Sequence, residues 1–413
     1  MLRHLFTVGL LNLVQGMPAY FFTVAMPALM RDGGASLATV GLAYVIWLPW
    51  ALKWLWAPYF DAAAAPPFRS RIAWLRTLPI AMAAVFLAVA AFPPGSPHWP
   101  LIVISLVSAA VGATLQVVLA AWLIEALDEK QRALANAGQV AGITLGGIIG
   151  GGLILTLGAH LPWAVAIVVV SLLIAALSLP AWLEPVPRIS QERPVAAGRR
   201  LGMRALLASW SGLFRRPGFA RLGLLILLAG GAAGADALLP AIMIDRGFSA
   251  AEVGWIIGTL GMACILPASA ATGWLVRRFG SLAVLAGLYM AKAAAMAALA
   301  MSLALPAAVV AGLVVVDCAI SGALMVAMYQ LYMGYAAPER AATDYGLLTS
   351  LEAALRLAGG LLSGQGGDML GYGAIFSASA LFALAAAGSA LLWAPSPSAQ
   401  PKSTAGPTGF EAS

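Results

Sequence analysis

Long apolar runs dominate this chain, and short polar stretches separate them. Twelve of the runs are roughly 20 residues long, the length that an α-helix needs to cross the hydrocarbon core of a bilayer. They predict an all-α membrane protein with twelve transmembrane helices, six on each side of a polar segment. The predicted spans are 5–30, 38–58, 73–92, 101–125, 136–158, 162–183, 219–243, 251–273, 281–303, 307–335, 345–370 and 373–394.

One polar turn between spans occurs twice. Residues 27–41 read PALMRDGGASLATVG and residues 240–254 read PAIMIDRGFSAAEVG, so that eight residues recur at a constant offset of 213. A second match, between Gly112-Ala113 and Gly322-Ala323, has an offset of 210. An internal repeat of half the chain, built from apolar spans, is typical of membrane transporters with two similar halves.

Composition supports a membrane protein and excludes several other classes. Of the 413 residues, 62% are hydrophobic and 9% are charged, against about 25% charged in an ordinary soluble domain. Cys264 and Cys318 lie in apolar runs and the three histidines do not cluster, so we expect no disulfide framework and no metal site. The basic N-terminus followed by an apolar run is interpreted as a retained first helix, since it lacks a small-residue cleavage site. No nucleophile–base pair or nucleotide motif indicates an enzyme, and we expect no cofactor.

The placement of the charges predicts the orientation. The net charge of +7 would suggest nucleic acid in a soluble protein, but the basic residues here lie almost entirely in alternate loops. One set of loops holds Arg69, Arg71, Lys130, Arg132, seven linker arginines, Arg277, Arg278 and Arg340, while the other holds only Arg31 and Arg246. The positive-inside rule places the first set in the cytoplasm. Both termini are therefore predicted to be cytoplasmic, with the duplicated turn facing outward.

The same charges divide the chain into four parts. We predict an N-terminal six-helix bundle at 1–183, a basic cytoplasmic linker at 184–218 and a C-terminal six-helix bundle at 219–394. Residues 395–413 are rich in Ser, Pro and Gly and are predicted to be a disordered tail.

Ionisable residues at membrane depth are costly and are candidate functional groups. Lys53 in the second span either reaches the interface or contacts a ligand. Lys292 and Asp317 lie near the middle of spans nine and ten. Either they pair with each other, or one of them contacts the substrate and the other binds a proton. Glu352 and Arg356 lie one helical turn apart, and either neutralise each other or separate when a proton or an anion arrives. The predicted proton-coupling residues are Asp236, Lys292, Asp317, Glu352 and Arg356.

Six plus six spans around a basic linker resemble the major facilitator superfamily. The resemblance implies two halves related by a pseudo-twofold axis and a substrate site near the midplane, which is exposed to each side in turn. It also implies that spans one, four, seven and ten line the cavity, so their polar residues more often face water than lipid. Tyr44, Trp47, Trp50 and Trp54, at steps of three and four along span two, either pack between helices or form a stacking wall. The predicted substrate-binding residues are Asn12, Gln15, Tyr44, Trp47, Lys53, Gln116, Tyr329 and Gln330.

Short motifs in both halves resemble the AmpG-type branch of that superfamily. They are QGMP at 15–18, LKWLWAP at 52–58 followed by Asp61, GAT at 112–114 and ATDYGLL at 342–348. The branch includes muropeptide permeases, acetyl-CoA transporters and the RhtX/FptX siderophore permeases. Muropeptide members carry two aspartates where this chain has Gln116 and Ala120, and an arginine near Thr144. The compact chain therefore looks most like the siderophore permeases, with Lys53 as the shared basic residue of the cavity.

The loops after spans two and eight resemble the gating motifs of the superfamily. Asp61, Arg69 and Arg71 form an acidic–basic group after span two, while Arg277 and Arg278 follow span eight without an acid. These five residues either form a charge pair that closes the inward gate or simply set the topology.

The resulting hypothesis is a monomeric, proton-coupled importer of a ferric siderophore, pyochelin-like or similar, in the bacterial inner membrane. The alternatives are a permease for muropeptides or another amphiphilic metabolite, and a small-molecule or drug exporter. A membrane receptor or assembly factor that does not transport is disfavoured by the intramembrane charges and the duplicated halves. The expected partners are a small-molecule substrate, a proton and the lipid bilayer, with no nucleic acid.

Overall fold

The computed structural model of the chain describes residues 2–57, 60, 71–126, 129–184, 210–302, 304–335 and 341–393, and these parts are helical with short turns. Eleven helical stretches among them are long and apolar enough to cross a membrane. We number the first ten α1 to α10: Arg3–Asp32, Leu37–Leu55, Arg71–Ala91, His98–Ala120, Gly138–His160, Trp163–Leu183, Phe219–Asp245, Ala250–Phe279, Ser281–Ala300 and Ala307–Tyr335.

The last stretch contains two spans. Asp344–Trp393 has 50 residues and would extend about 75 Å at 1.5 Å per residue, more than twice the thickness of the hydrocarbon core. Gly371 interrupts it with φ 78° and ψ 170°, values that a glycine adopts without strain. The helix therefore reverses there, giving α11 at 344–370 and α12 at 372–393. The prediction of an all-helical fold with twelve spans is confirmed. Residues 185–209 of the predicted linker at 184–218, and the whole predicted tail at 395–413, lie outside the described residues.

Several spans contain non-α segments, and prolines account for two of them. A proline lacks the N–H that would bond to the carbonyl four residues earlier, and its ring clashes with that carbonyl. In α1 the π segment Phe21–Ala25 precedes Pro27, and in α7 the 3-10 segment Ala235–Leu238 precedes Pro240. Pro27 and Pro240 occupy equivalent positions in the internal repeat, so the first span of each half has an irregular segment just before its proline. The break in α7 contains Asp236.

The residues of the duplicated turn explain why both copies have the same sequence pattern. Gly34 and Gly247 adopt φ 83° and 88°, the left-handed conformation that ends a helix. Ser36 then caps α2 by accepting from the Thr39 amide at 3.2 Å. Ser249 caps α8 in a capping box with Glu252. We call the end of the bundle that carries both turns the turn end, and the opposite end the linker end.

Glycines let the two halves touch near the turn end. A Cβ on Gly41 of α2 would lie 2.8 Å from the Gly360 carbonyl oxygen and 2.9 Å from the Gly364 Cα of α11. A Cβ on Gly258 of α8 would collide with the backbone of Gly151 in α5. Such backbone-to-backbone contacts are the usual role of small residues between membrane helices. The halves are therefore closed against each other at this end.

Gly258→Ala is expected to destabilise the closed protein by about 1–3 kcal/mol, the usual cost of overpacking a tight contact. The matched control is Gly287→Ala on α9, where an added Cβ meets nothing within 4 Å. Thermal melting of the purified protein, followed by tryptophan fluorescence, should show a lower melting temperature for Gly258→Ala only. Equal melting of the two variants would contradict the close contact.

Candidate functional site

A small polar cavity lies among the helices of the second half. Its volume is about 30 Å³, and its polar lining consists of Asp236, Tyr289, Lys292, Ser321, Glu352 and Arg356. A single water needs roughly 10–15 Å³ by the same measure, so this space accommodates about two water molecules. The cavity has room for water but is too small for a metabolite in this conformation.

A buried ammonium shared by two carboxylates borders this cavity. Lys292 Nζ lies 2.6 Å from Asp236 Oδ1 and 2.8 Å from Asp317 Oδ1, and it donates to Ser321 Oγ at 3.0 Å. Lys292 and Asp317 are each 1% exposed. A lysine ammonium has three N–H donors, and these three partners use all of them. We call Asp236, Lys292 and Asp317 the triad.

The triad brings together three helices that the sequence alone did not connect. The first of the two alternatives for Lys292 and Asp317 is realised, because they pair. Asp236 joins them from α7, where the break before Pro240 places it. Ser321 and Tyr289 were missed by sequence reasoning, although Ser321 is one turn after Asp317 and Tyr289 is three residues before Lys292. Those i, i+4 and i, i+3 spacings were the available signal.

A second charge pair lies on α11. Arg356 donates to Glu352 Oε1 from Nε at 3.1 Å and from Nη2 at 2.9 Å. Its guanidinium also lies 5.6 Å from the centre of the Trp47 ring of α2, a cation–π contact across the two halves. Glu352 Oε2 is buried with no hydrogen-bond partner in the described part of the chain. The pair is balanced in charge but leaves one acceptor free.

Lys53 forms a separate polar group in the first half. Its ammonium donates to Gln116 Oε1 at 3.0 Å and lies 5.3 Å from the centre of the Trp50 ring. Among the described residues it forms no ion pair with a carboxylate. It occupies the 3-10 segment Lys53–Leu55 at the end of α2. Lys53 is therefore a cation with no carboxylate within ion-pair distance among the described residues, although it interacts at longer range with Glu352.

Gln15 extends this group and is itself unsatisfied. It is 2% exposed, and neither its amide nitrogen nor its amide oxygen has a hydrogen-bond partner in the described residues. A Cβ on Gly112 would lie 3.6 Å from Gln15 Cγ and 3.8 Å from Trp50 Cζ2. Gly112 and Gln116 are one turn apart on α4, so Gln15 lies against the same face of α4. We call Gln15, Trp50, Lys53 and Gln116 the Lys53 cluster.

Other predicted binding residues lie elsewhere. Asn12 donates to the Val8 carbonyl of its own helix at 2.9 Å. The Tyr44 ring packs on the backbone of Gly360, so it and Trp47 lie in the contact between α2 and α11. Tyr329 packs against Tyr345 with ring centroids 6.0 Å apart, and Gln330 is half-buried beside it in the chain. The aromatic row on α2 therefore packs between helices along much of its length.

A hydrogen-bonded network joins the two halves at the turn end. Arg31 donates from Nε and Nη2 to the two carboxylate oxygens of Asp245, both at 2.7 Å, and Tyr372 donates to Asp245 Oδ2 at 2.6 Å. Asp368 of α11 accepts from the backbone amides of Leu37 at 2.7 Å and Ala38 at 2.9 Å. We call Arg31, Asp245, Asp368 and Tyr372 the turn-end network. Sequence reasoning missed it, although Arg31 was one of only two basic residues assigned to this face.

The predicted gating residues at the linker end are only partly described. Asp61 and Arg69 lie outside the described residues, whereas Arg71 donates to the Phe60 carbonyl at 3.3 Å. Arg278 lies 5.7 Å from the centre of the Trp274 ring. Neither Arg277 nor Arg278 forms an ion pair within the described ranges. A gate at this end stays a prediction.

Comparison with known proteins identifies the family. A sequence model of the Major Facilitator Superfamily matches residues 8–360. This chain belongs to that superfamily. It is a multi-pass membrane transporter of the secondary type, and the expectation of no enzymatic activity is confirmed.

Individual relatives refine this assignment. The anhydromuropeptide permease of Escherichia coli (strain K12) is 27% identical over 278 residues, which cover 65% of this chain and 54% of that protein. The chain thus spans about half the length of this relative. The AmpG-type resemblance is supported at low identity, whereas the particular closeness to siderophore permeases is not shown.

Solved structures share the fold. The nucleoside transporter NupG (D323A mutant) superposes with a TM-score of 0.69 at 11% identity, over 94% of this chain and 99% of NupG. A bacterial homologue of the human lysosomal transporter Spinster, in an inward-facing and unoccupied conformation, gives 0.66 at 16% identity, over 94% of each chain. At these identities the likeness extends to the fold alone.

Asp245→Asn is expected to open the turn end, because it weakens the paired contact with Arg31 and the acceptor for Tyr372. Asp32→Asn is the matched control, since Asp32 holds the same position in the first copy of the turn and is exposed. A cysteine replacing the buried Ala35, in protein with Cys264 and Cys318 changed to Ala, should react faster with a maleimide in Asp245→Asn than in Asp32→Asn. Equal rates would show that the network does not hold this end closed.

Proposed function

We propose that the protein imports an anionic, amphiphilic metabolite of the anhydromuropeptide class across the bacterial inner membrane by alternating access, coupled to protons. The observation that carries the proposal is the Lys53 cluster. It combines a cation with no carboxylate within ion-pair distance, an amide with no hydrogen bond among the described residues and an aromatic face.

The physical argument begins with the cost of the Lys53 charge. Placing a lysine within a membrane span costs about 3 kcal/mol or more, unless a partner compensates it. Gln116 supplies only a neutral acceptor. A carboxylate of a ligand would neutralise the ammonium, and such charge-assisted hydrogen bonds are stronger than neutral ones. Lys53 is therefore suited to bind an acidic group of the substrate.

The neighbouring residues suit the rest of such a ligand. Gln15 has two donors and an acceptor without partners, which can bind hydroxyl or amide groups. The Trp50 face can pack against a ring or an apolar segment. A sugar–peptide acid offers all of these groups in one molecule.

The relatives favour a muropeptide over an iron-loaded siderophore. The E. coli relative that is 27% identical in sequence is named an anhydromuropeptide permease. Gln116, which stands where aspartates were expected for that substrate, is the acceptor that orients Lys53. The siderophore hypothesis drew on the aromatic row of α2, of which Tyr44 and Trp47 pack against α11 and Trp54 packs on Trp210. We also propose that the turn end faces the periplasm, that both termini are cytoplasmic and that the protein acts as a monomer.

Lys53→Gln is expected to abolish uptake without lowering the amount of protein in the membrane, while Lys53→Arg should retain part of it because the charge remains. Arg221→Gln, which removes an exposed cation at the start of α7, is the matched control and should transport normally. Uptake would be measured in right-side-out vesicles with radiolabelled anhydromuropeptide and, in parallel, a radiolabelled ferric siderophore.

The outcomes of that assay separate the candidate functions. Uptake of the siderophore alone would replace the proposed substrate, and extrusion of the muropeptide would reverse the proposed direction. Normal uptake by Lys53→Gln would remove Lys53 from the binding site.

Gln15→Met should weaken substrate uptake yet stabilise the protein. A buried polar group without partners costs about 1–3 kcal/mol, and methionine has a similar shape without that cost. Melting temperature and the substrate concentration for half-maximal uptake would both be expected to rise. A lower melting temperature would show instead that Gln15 stabilises the fold.

A further inference from the structure

We infer that the triad of Asp236, Lys292 and Asp317 binds the transported proton, and that one proton is carried with each net negative charge of the substrate, so that transport is electroneutral. This inference rests on the proposed import of an anionic substrate at Lys53. It adds the proton site and the stoichiometry.

The triad has one more negative group than positive groups. Asp236 and Asp317 share a single ammonium at 2.6 and 2.8 Å, and the nearest additional donor is the neutral hydroxyl of Ser321. With both carboxylates ionised, the triad has a net charge of −1 in a buried location. One proton shared by the two carboxylates makes it neutral. Because the two groups are this close, the proton belongs to the pair rather than to either residue.

The other charged groups around the cavity add no net charge. Glu352 and Arg356 of α11 form a one-to-one pair at 2.9 Å, and Arg356 also interacts electrostatically with Asp236. Tyr289 of α9 contributes only a neutral hydroxyl. Within the described residues, the one remaining cation of the central region is Lys53 in the other half, which is bound to Gln116 and interacts at longer range with Glu352. The central region therefore has one carboxylate in excess at the triad and one cation in excess at Lys53, and the two balance.

This arrangement makes two of the four ligand states neutral overall. Without ligands, Lys53 and the ionised triad sum to zero. With a bound monoanion and a bound proton, the sum is again zero. Binding the substrate alone gives −1, and binding the proton alone gives +1. Because an uncompensated charge is disfavoured in the low-dielectric interior, the empty and doubly loaded states reorient more readily than the half-loaded ones. That preference couples the two fluxes.

The cavity provides the route for the proton. Asp236 lines it, whereas Asp317 lies behind Lys292 and is 1% exposed. A cavity of about 30 Å³ has room for water, so the proton can reach the carboxylate pair through Asp236 without passage of a larger ligand.

Infrared difference spectroscopy of the purified protein tests the proton site without any substrate. Acidification of the wild type should produce a carbonyl band of a buried carboxylic acid. The band should be lost in Asp236→Asn and equally in Asp317→Asn, because the remaining carboxylate then forms a balanced pair with Lys292. It should persist in Glu352→Gln, the matched control on the same cavity. Persistence of the band in both aspartate variants, or its loss only in Glu352→Gln, would overturn the assignment.

Proteoliposomes containing radiolabelled anhydromuropeptide test the stoichiometry. Net uptake by the wild type should respond to a pH gradient and not to a membrane potential. Asp236→Asn mimics the protonated triad, so its loaded form is neutral and its empty form is charged. Substrate exchange should therefore stay within about twofold of the wild type, while net uptake falls at least about tenfold. A wild-type flux driven by the potential, or equal loss of exchange and net uptake in Asp236→Asn, would contradict the inference.

The two proposals fail in different ways. If the substrate site is wrong, Lys53→Gln transports normally, whereas the infrared band still reports the proton on the triad. If the proton site is wrong, Lys53→Gln loses uptake and the band does not depend on the two aspartates.

Discussion

The cost of burying charge in hydrocarbon determines how the centre of this protein is organised. Its ionisable side chains occur in groups that nearly balance, namely the triad, the Glu352–Arg356 pair and the Lys53 cluster. Each group is incompletely balanced. The triad has one carboxylate more than it has ammonium groups, Glu352 has one oxygen without a hydrogen bond, and Lys53 has no carboxylate within ion-pair distance among the described residues. An interior in which every buried charge was paired would be more stable, but it would offer no unsatisfied group to a ligand or a proton. These groups are where ligands and protons can contribute.

Much of the fold could be predicted from the sequence, because span length and hydropathy are one-dimensional properties. The twelve spans and the duplicated turn follow from apolar runs and repeat residues. The cost of buried charge made the pairing of Lys292 with Asp317 one of two alternatives. The position of Asp236 in the triad could not be predicted, because it depends on how the break before Pro240 turns α7 toward α9. The turn-end network connects residues more than 200 positions apart, such as Arg31 and Asp245. The resemblance to the AmpG-type branch is supported at low identity, whereas departures such as Gln116 do not by themselves identify the substrate.

The two halves share a pattern and differ in chemistry. At the offset of 210, Lys292 corresponds to Met82 and Asp317 to Val107, so the first half has no counterpart of the triad. At the offset of 213, Arg31 corresponds to Ile244. The duplicated scaffold therefore carries the Lys53 cluster in one half and the triad in the other. The charges of the two groups are opposite, and electrostatic attraction acts between the halves over a distance.

The helix caps at the turn end differ in a way that affects motion. The first amides of α8 are capped by Ser249 and Glu252 of the same half, but those of α2 at Leu37 and Ala38 are capped by Asp368 of the opposite half. When the halves separate there, α8 retains its capping box, whereas α2 retains only the Ser36 cap and loses Asp368. The Leu37 and Ala38 amides would then have to bond to water, so the two like bundles contribute unequally to the barrier for opening.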